Sequence, residues 1–271
     1  MLLQRFITAV ILVPIVLGFV FFVPHFQFTL FVGFILTIAA WEWANLANLS
    51  RFNKCLYTAA IALSLYASHN FSVSLVLSAS GLWWGVAFVL VVIYPKLDEL
   101  WGRSTVIALI GVIVLVSGFM SLLDIKRYDE GNYLICLLFF LIWGADVGAY
   151  FFGRAFGVKK LAPLVSPGKS WAGLYGGVLT SLVVAVLMAM YFESPRLVTL
   201  EGLSFLGLCV CVSLLSILGD LTISMFKRHR GVKDSSNLLP GHGGFLDRID
   251  SLLSASPAFV CYLSAAGWVV K

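Results

Sequence analysis

The chain has 271 residues, of which 61% are hydrophobic and only 11% are Asp, Glu, Lys or Arg, with a formal net charge of +5. A soluble domain carries about 25% charged residues, so a mean hydropathy of +1.00 excludes that class. It leaves an all-α polytopic integral membrane protein. A β-barrel is excluded too, because the apolar segments are continuous rather than alternating.

A bilayer core takes about 20 apolar residues per helix. In chain order the predicted spans are 6–23, 27–43, 56–69, 72–94, 104–123, 132–153, 171–192, 203–226 and 252–270, about nine transmembrane helices. The first lacks a small-x-small cleavage site and is followed by further spans, so it reads as an uncleaved helix rather than a secretory leader. No linker, low-complexity tract or repeat interrupts the chain. Residues 1–271 are therefore expected to form a single membrane domain, with N-terminal helices over 1–130 and the chemistry over 131–271. Cys55, Cys136, Cys209, Cys211 and Cys261 form no CxxC pair, which argues against a disulfide framework or a zinc site.

Lysine and arginine set the expected orientation. With the N-terminus in the cytoplasm, nine spans put Arg5, Arg51, Lys54, Lys96, Arg103, Arg154, Lys159, Lys160, Lys169 and the basic residues from Lys227 to Arg248 on the cytoplasmic side. The other side holds only Lys126, Arg127, Arg196 and Lys271.

Three carboxylates fall within or at the ends of apolar spans: Glu42 in AAWEWAN, Asp146 in IWGADVGAY and Asp220 in SILGDLTIS. A charge at mid-bilayer costs about 2.5–3.5 kcal/mol on insertion scales, so such groups are paired, hydrated or functional. All three lie toward the cytoplasmic ends of their predicted helices and are expected to share one cytoplasm-facing polar cavity. Two tryptophans flank Glu42, which gives it the look of an interfacial acid reaching for water.

Two polar loops leave the membrane on that face. The first, Gly153 to Gly173, contains SPGKS. The phosphate-loop pattern GxxxxGK[ST] fails, because position 163 is Pro163. Ser166, Lys169 and Ser170 would then stand at the start of an apolar helix, where free N–H groups and a lysine suit an anion. The second loop follows Asp220 and Ser224, which are i, i+4 on one helix face and lead to Lys227. Gly241, Gly243 and Gly244 around His242 permit a tight turn whose N–H groups can approach a ligand. Asp247 and Asp250 flank Arg248 at the start of the last helix. Hard carboxylate oxygens beside lysines and arginines, with no Cys/His cluster, suit Mg²⁺ and phosphates. A transporter binding an ion at the buried acids, or a polyisoprenol kinase-like enzyme using CTP, fits the same groups in outline.

The stretch from Ser224 to Asp250, SMFKRHRGVKDSSNLLPGHGGFLDRID, resembles the signature of the phosphatidate cytidylyltransferase (CDP-diglyceride synthase) family. The family pattern S-x-x-K-R-x4-K-D-…-P-x-H-G-G-x-x-D-R-x-D is met from end to end. DVGAYFFGRAFG, LAPLVSPGKSW and LGDL resemble the family as well, in its usual order. The resemblance implies the reaction CTP + phosphatidate → CDP-diacylglycerol + pyrophosphate in the cell inner (plasma) membrane, with the active site facing the cytoplasm. It implies a catalytic set of Asp220, Asp247, Lys227, Arg228, Lys233 and Asp234. Ser166, Lys169, Ser224, His242, Gly243, Gly244, Arg248 and Asp250 would bind substrate. Asp220, Asp247 and Asp146 would hold Mg²⁺, with room for a second cation such as K⁺. Partners are then CTP, phosphatidate and membrane lipid, with no nucleic acid; a homodimer is compatible. Many members carry a carboxylate at Ile223 and a polar residue at Ala172, so neither position is an indispensable ligand here.

Overall fold

The computed structural model describes residues 2–191 and 200–266. The expected basic residues Arg196 and Lys271, and the ends of the spans predicted to finish at 192 and 270, lie outside them. Ten α-helices occur among the described residues: α1 (Leu2–Phe21), α2 (His25–Leu46), α3 (Arg51–Ala67), α4 (Val73–Ile93), the single turn α5 (Asp98–Trp101), α6 (Ser104–Arg127), α7 (Gly131–Phe156), α8 (Trp171–Tyr191), α9 (Leu200–Arg230) and α10 (Leu246–Ala265). A helix overlaps each predicted span, though α3 has only 17 residues. Among the described residues six helices, α2, α4, α6, α7, α8 and α9, are long and apolar enough to cross a membrane. The helices overrun the apolar limits read from the sequence: α9 continues through Lys227 to Arg230, and α10 begins at Leu246 within the charged block.

One expectation fails locally. SPGKS does not open a helix. Ser166–Ser170 is strand β2, paired antiparallel with β1 (Lys160–Ala162), and α8 starts only at Trp171. Ser170 caps that helix, its hydroxyl accepting from the Gly173 N–H at 3.1 Å.

Contacts between helix ends show that the long helices alternate in direction. At one end Thr8 of α1 donates to the Pro240 carbonyl, Arg230 of α9 to the Asn45 carbonyl after α2, and His229 meets the Gly102 carbonyl before α6. At the other end His25 of α2 meets the Leu123 carbonyl of α6, Lys126 of α6 reaches Val20 of α1 and Asn132 of α7, and Ser204 of α9 meets Tyr262 of α10. Lys126 thus sits opposite the charged block, as the loop charges required.

One buried core runs from Val20 to Leu263 and takes side chains from every long helix. In lipid the apolar faces gain little from meeting each other, so close backbone approach matters more. The α7–α8 pair shows it. A Cβ at Gly148 would stand 2.3 Å from the Thr180 hydroxyl and 2.6 Å from the Gly176 carbonyl, and one at Gly177 would stand 2.7 Å from the Ala145 carbonyl. At the charged end an aromatic cluster fixes the last turns of α9. Phe226 is fully buried, with ring centroids 5.7 Å from Trp43, 6.3 Å from Trp83 and 5.7 Å from Trp101.

Candidate active site

The charged end of the bundle gathers the carboxyl ends of α2, α7 and α9, the amino end of α10 and the β1–β2 hairpin. Packing of Phe226 sets the rotation of α9, and that rotation turns Lys227 inward. Its ammonium meets Asp247 Oδ1 at 2.6 Å, with both side chains nearly enclosed (10% and 4% exposed). Asp247 Oδ2 accepts from the Ser235 N–H at 2.8 Å, the Ser235 hydroxyl at 2.9 Å and the Gly244 N–H at 3.0 Å. Burial alone would raise the Asp247 pKa; the Lys227 hydrogen bond and charge, then the two N–H groups, outweigh it and hold the carboxyl below its usual range.

Asp220 lies on α9, two turns before Lys227. Its Oδ2 pairs with Lys169 at 2.8 Å, and its Oδ1 accepts from Ser224 at 3.2 Å, the i, i+4 contact the spacing implied. Lys169 also reaches the Ile217 carbonyl at 3.4 Å. The hairpin strand, rather than a helix start, is what brings Lys169 over α9. Asp250 is buried on α10 within electrostatic range of Asp220, Lys227 and Lys169. The approach is close because α9 carries glycine there: a Cβ at Gly219 would stand 2.4 Å from the Asp250 carbonyl. Asp146 on α7 is exposed and feels Lys169, Asp220 and Arg248. Arg228 is exposed and donates from Nε to the Val165 carbonyl of the hairpin at 3.1 Å. Lys233, Asp234 and Arg248 are exposed on the loop and the first turn of α10; Ser166 is half-buried on β2.

Two residues expected at the phosphates and the metal are paired with each other: Lys227 is buried against Asp247, whose Oδ2 also accepts from the Ser235 and Gly244 N–H groups. One expectation changes. The turn around His242 does not present its amides outward. The N–H groups of His242 and Gly243 go to the Leu239 carbonyl, and that of Gly244 to Asp247. Gly241 and Gly243 have φ of 75° and 83°, a conformation that favours glycine. Gly244 is required by crowding, since a Cβ there would stand 2.0 Å from the Ser235 hydroxyl.

Sequence reasoning missed the residue that holds this loop. Glu42 is 0% exposed and reaches no water. Its Oε1 accepts from the Phe245 N–H at 3.0 Å and from the Ser236 hydroxyl; its Oε2 accepts from the Leu246 N–H at 2.7 Å and lies 3.1 Å from the Ser235 hydroxyl, whose one proton it shares with Asp247. A carboxylate from α2 therefore caps α10 across about 200 residues of sequence, where a negative charge also complements the helix dipole. The signal was the insertion cost itself: a carboxylate at the end of an apolar run requires a partner.

The helical bundle thus gathers acids, lysines and a tightly tied glycine turn at one end, the groups a nucleotidyltransferase working at a membrane would need. The match to the cytidylyltransferase family model covers residues 3–266, and the chain belongs to that family. Phosphatidate cytidylyltransferase of Pseudomonas aeruginosa is 45% identical over 271 residues, covering 99% of both chains. The protein of that name from Haemophilus influenzae is 41% identical over 281 aligned positions, covering 96% of this chain and 97% of the relative. That of Staphylococcus epidermidis is 41% identical over 149 residues, 55% of each. The chain is a nucleotidyltransferase, and the transporter reading is set aside.

Proposed function

We propose that the phosphatidate phosphate attacks the α-phosphorus of CTP in the mouth between Asp220, Lys169, Asp146 and the loop after α9. A new O–P bond forms, the bond from the α-phosphorus to the bridging oxygen breaks, and pyrophosphate leaves. The product is CDP-diacylglycerol. The observation that carries this reading is the Lys169–Asp220 pair at 2.8 Å within the site of a cytidylyltransferase-family chain. The attacking oxygen is already ionised at neutral pH, so no general base is needed; the work is to bring two polyanions together and stabilise the leaving group.

Lys169, Arg228 and Lys233 neutralise phosphates from the hairpin and the loop. Lys227 acts at one remove, by fixing Asp247 and with it the turn. Among the described residues no three His, Cys, Asp or Glu side chains converge on one metal position. Mg²⁺ needs no such cage: it takes one or two carboxylates together with substrate phosphates. Asp220 and Asp247, with the neighbouring Asp250, fit that role, and Asp146 stands at the mouth for a second cation such as K⁺. When bound, Mg²⁺ would offset charge on the triphosphate. The site faces the cytoplasm of a plasma-membrane protein with nine crossing helices; the basic loops at the site's end support that orientation.

The test is CTP labelled at the α- or the γ-phosphate, supplied with phosphatidate. Label from the α position alone should enter the lipid. Entry of γ-label would instead mark a lipid kinase and overturn the reading.

A further inference from the structure

A cavity of about 1080 Å³ lies between α4, α8, α9, α10 and the β1–β2 hairpin. Its wall is almost wholly apolar, and its size is at the upper end for a small-molecule site. Two of its wall residues join it to the charged end. Val165 gives its carbonyl to Arg228, and Ile217 gives its carbonyl to Lys169. The apolar space thus begins where two phosphate-binding cations stand, which is the charge arrangement of an anionic head on an apolar tail.

We propose that this chamber receives an acyl chain of phosphatidate, and that Gly81 and Gly85 of α4 set how much chain it admits. This rests on the reaction proposed above. Both glycines line the chamber, and a Cβ built on either meets nothing within 4 Å. A larger side chain there enters the chamber rather than a packed helix face. An ordinary lipid-facing groove would accept any lipid; this one carries cations at its head and so selects an anionic one.

Two free cysteines on the wall, Cys211 and Cys261, report occupancy; Cys55 on α3 is exposed elsewhere and serves as the internal control. The detergent-solubilised chain is treated with N-ethylmaleimide and the extent of alkylation read at each cysteine by mass spectrometry. Dipalmitoyl phosphatidate should slow alkylation of Cys211 and Cys261 and leave Cys55 unchanged. Dihexanoyl phosphatidate should protect far less. Equal protection by phosphatidylcholine would overturn the proposal, as would none by dipalmitoyl phosphatidate. In Gly85→Phe, the KM for dipalmitoyl relative to dihexanoyl phosphatidate should rise about tenfold, a modest step for an apolar pocket, with the KM for CTP unchanged. An unchanged ratio would also overturn it. Protection without turnover would refute the reaction while supporting the chamber's occupant; turnover without protection would do the reverse.

Discussion

Replacing Glu42 removes a fully buried carboxylate and should loosen the whole signature loop. Glu42→Ala leaves the Phe245 and Leu246 N–H groups at the head of α10 without partners. At about 1–3 kcal/mol for each stranded donor, the expected loss of stability is about 2–6 kcal/mol. Glu42→Gln keeps the shape and gives a sharper result. Each Glu42 oxygen serves one serine hydroxyl and one backbone N–H. Whichever way the amide is turned, its NH₂ faces one of each. The serine can rotate to accept, but the backbone N–H cannot. Glu42→Gln should therefore cost about 1–3 kcal/mol. Thermal unfolding in detergent gives the stability change, and initial rates show kcat falling in both variants. If both unfold within about 0.5 kcal/mol of the parent, as ordinary surface changes do, the capping role is refuted.

Lys227→Met leaves the enclosed Asp247 unpaired and should cost about 3–5 kcal/mol, much of it recovered when Asp247→Leu is added; a double-mutant cycle on unfolding free energies measures the recovery. Gly148→Leu should sharply reduce the yield of folded protein, because its Cβ would overlap Thr180 and Gly176, whereas Gly85→Leu should leave the unfolding temperature near the parent's. Because the folded Asp247 carboxyl titrates below its usual range, its contribution is complete above the unfolded value of about 3.9 and disappears as pH falls through the folded value. Acid unfolding curves should then be steeper for the parent than for Asp247→Asn, and parallel curves would contradict the assignment.

Much of this was legible in the sequence, for identifiable reasons. Asp220, Ser224 and Lys227 share one helix, so their spacing alone gave their geometry. Asp247 and Asp250 fell at a helix start because Pro240 and the glycines break the chain before it. The long helices followed from hydropathy, although helix ends set by buried polar contacts ran past the apolar limits. What the sequence hid was pairing over distance. Glu42 lies about 200 residues from the amides it caps, and its flanking tryptophans suggested an interface; one of them, Trp43, is instead buried, donating to the Ile107 carbonyl at 2.8 Å. SPGKS became a strand because Lys160 and Ala162 pair with it, a tertiary decision that local propensity does not carry. The Lys227–Asp247 pair was hidden for the same reason: it joins residues 20 apart on two different helices. The apolar chamber was invisible, since hydropathy does not separate a side chain facing lipid from one facing a cavity.

The measurement that bears most directly on the account joins its reaction to its residues. Purified chain, phosphatidate, Mg²⁺ and α-labelled CTP are combined, with Asp220→Asn and Lys169→Met run beside the parent. The account predicts labelled CDP-diacylglycerol from the parent only with the divalent cation, and a loss of at least about a hundredfold in kcat in each variant, the scale seen when one stabilising group is removed from a reacting centre. Full activity in Asp220→Asn, or no labelled lipid from the parent with any divalent cation, would contradict it.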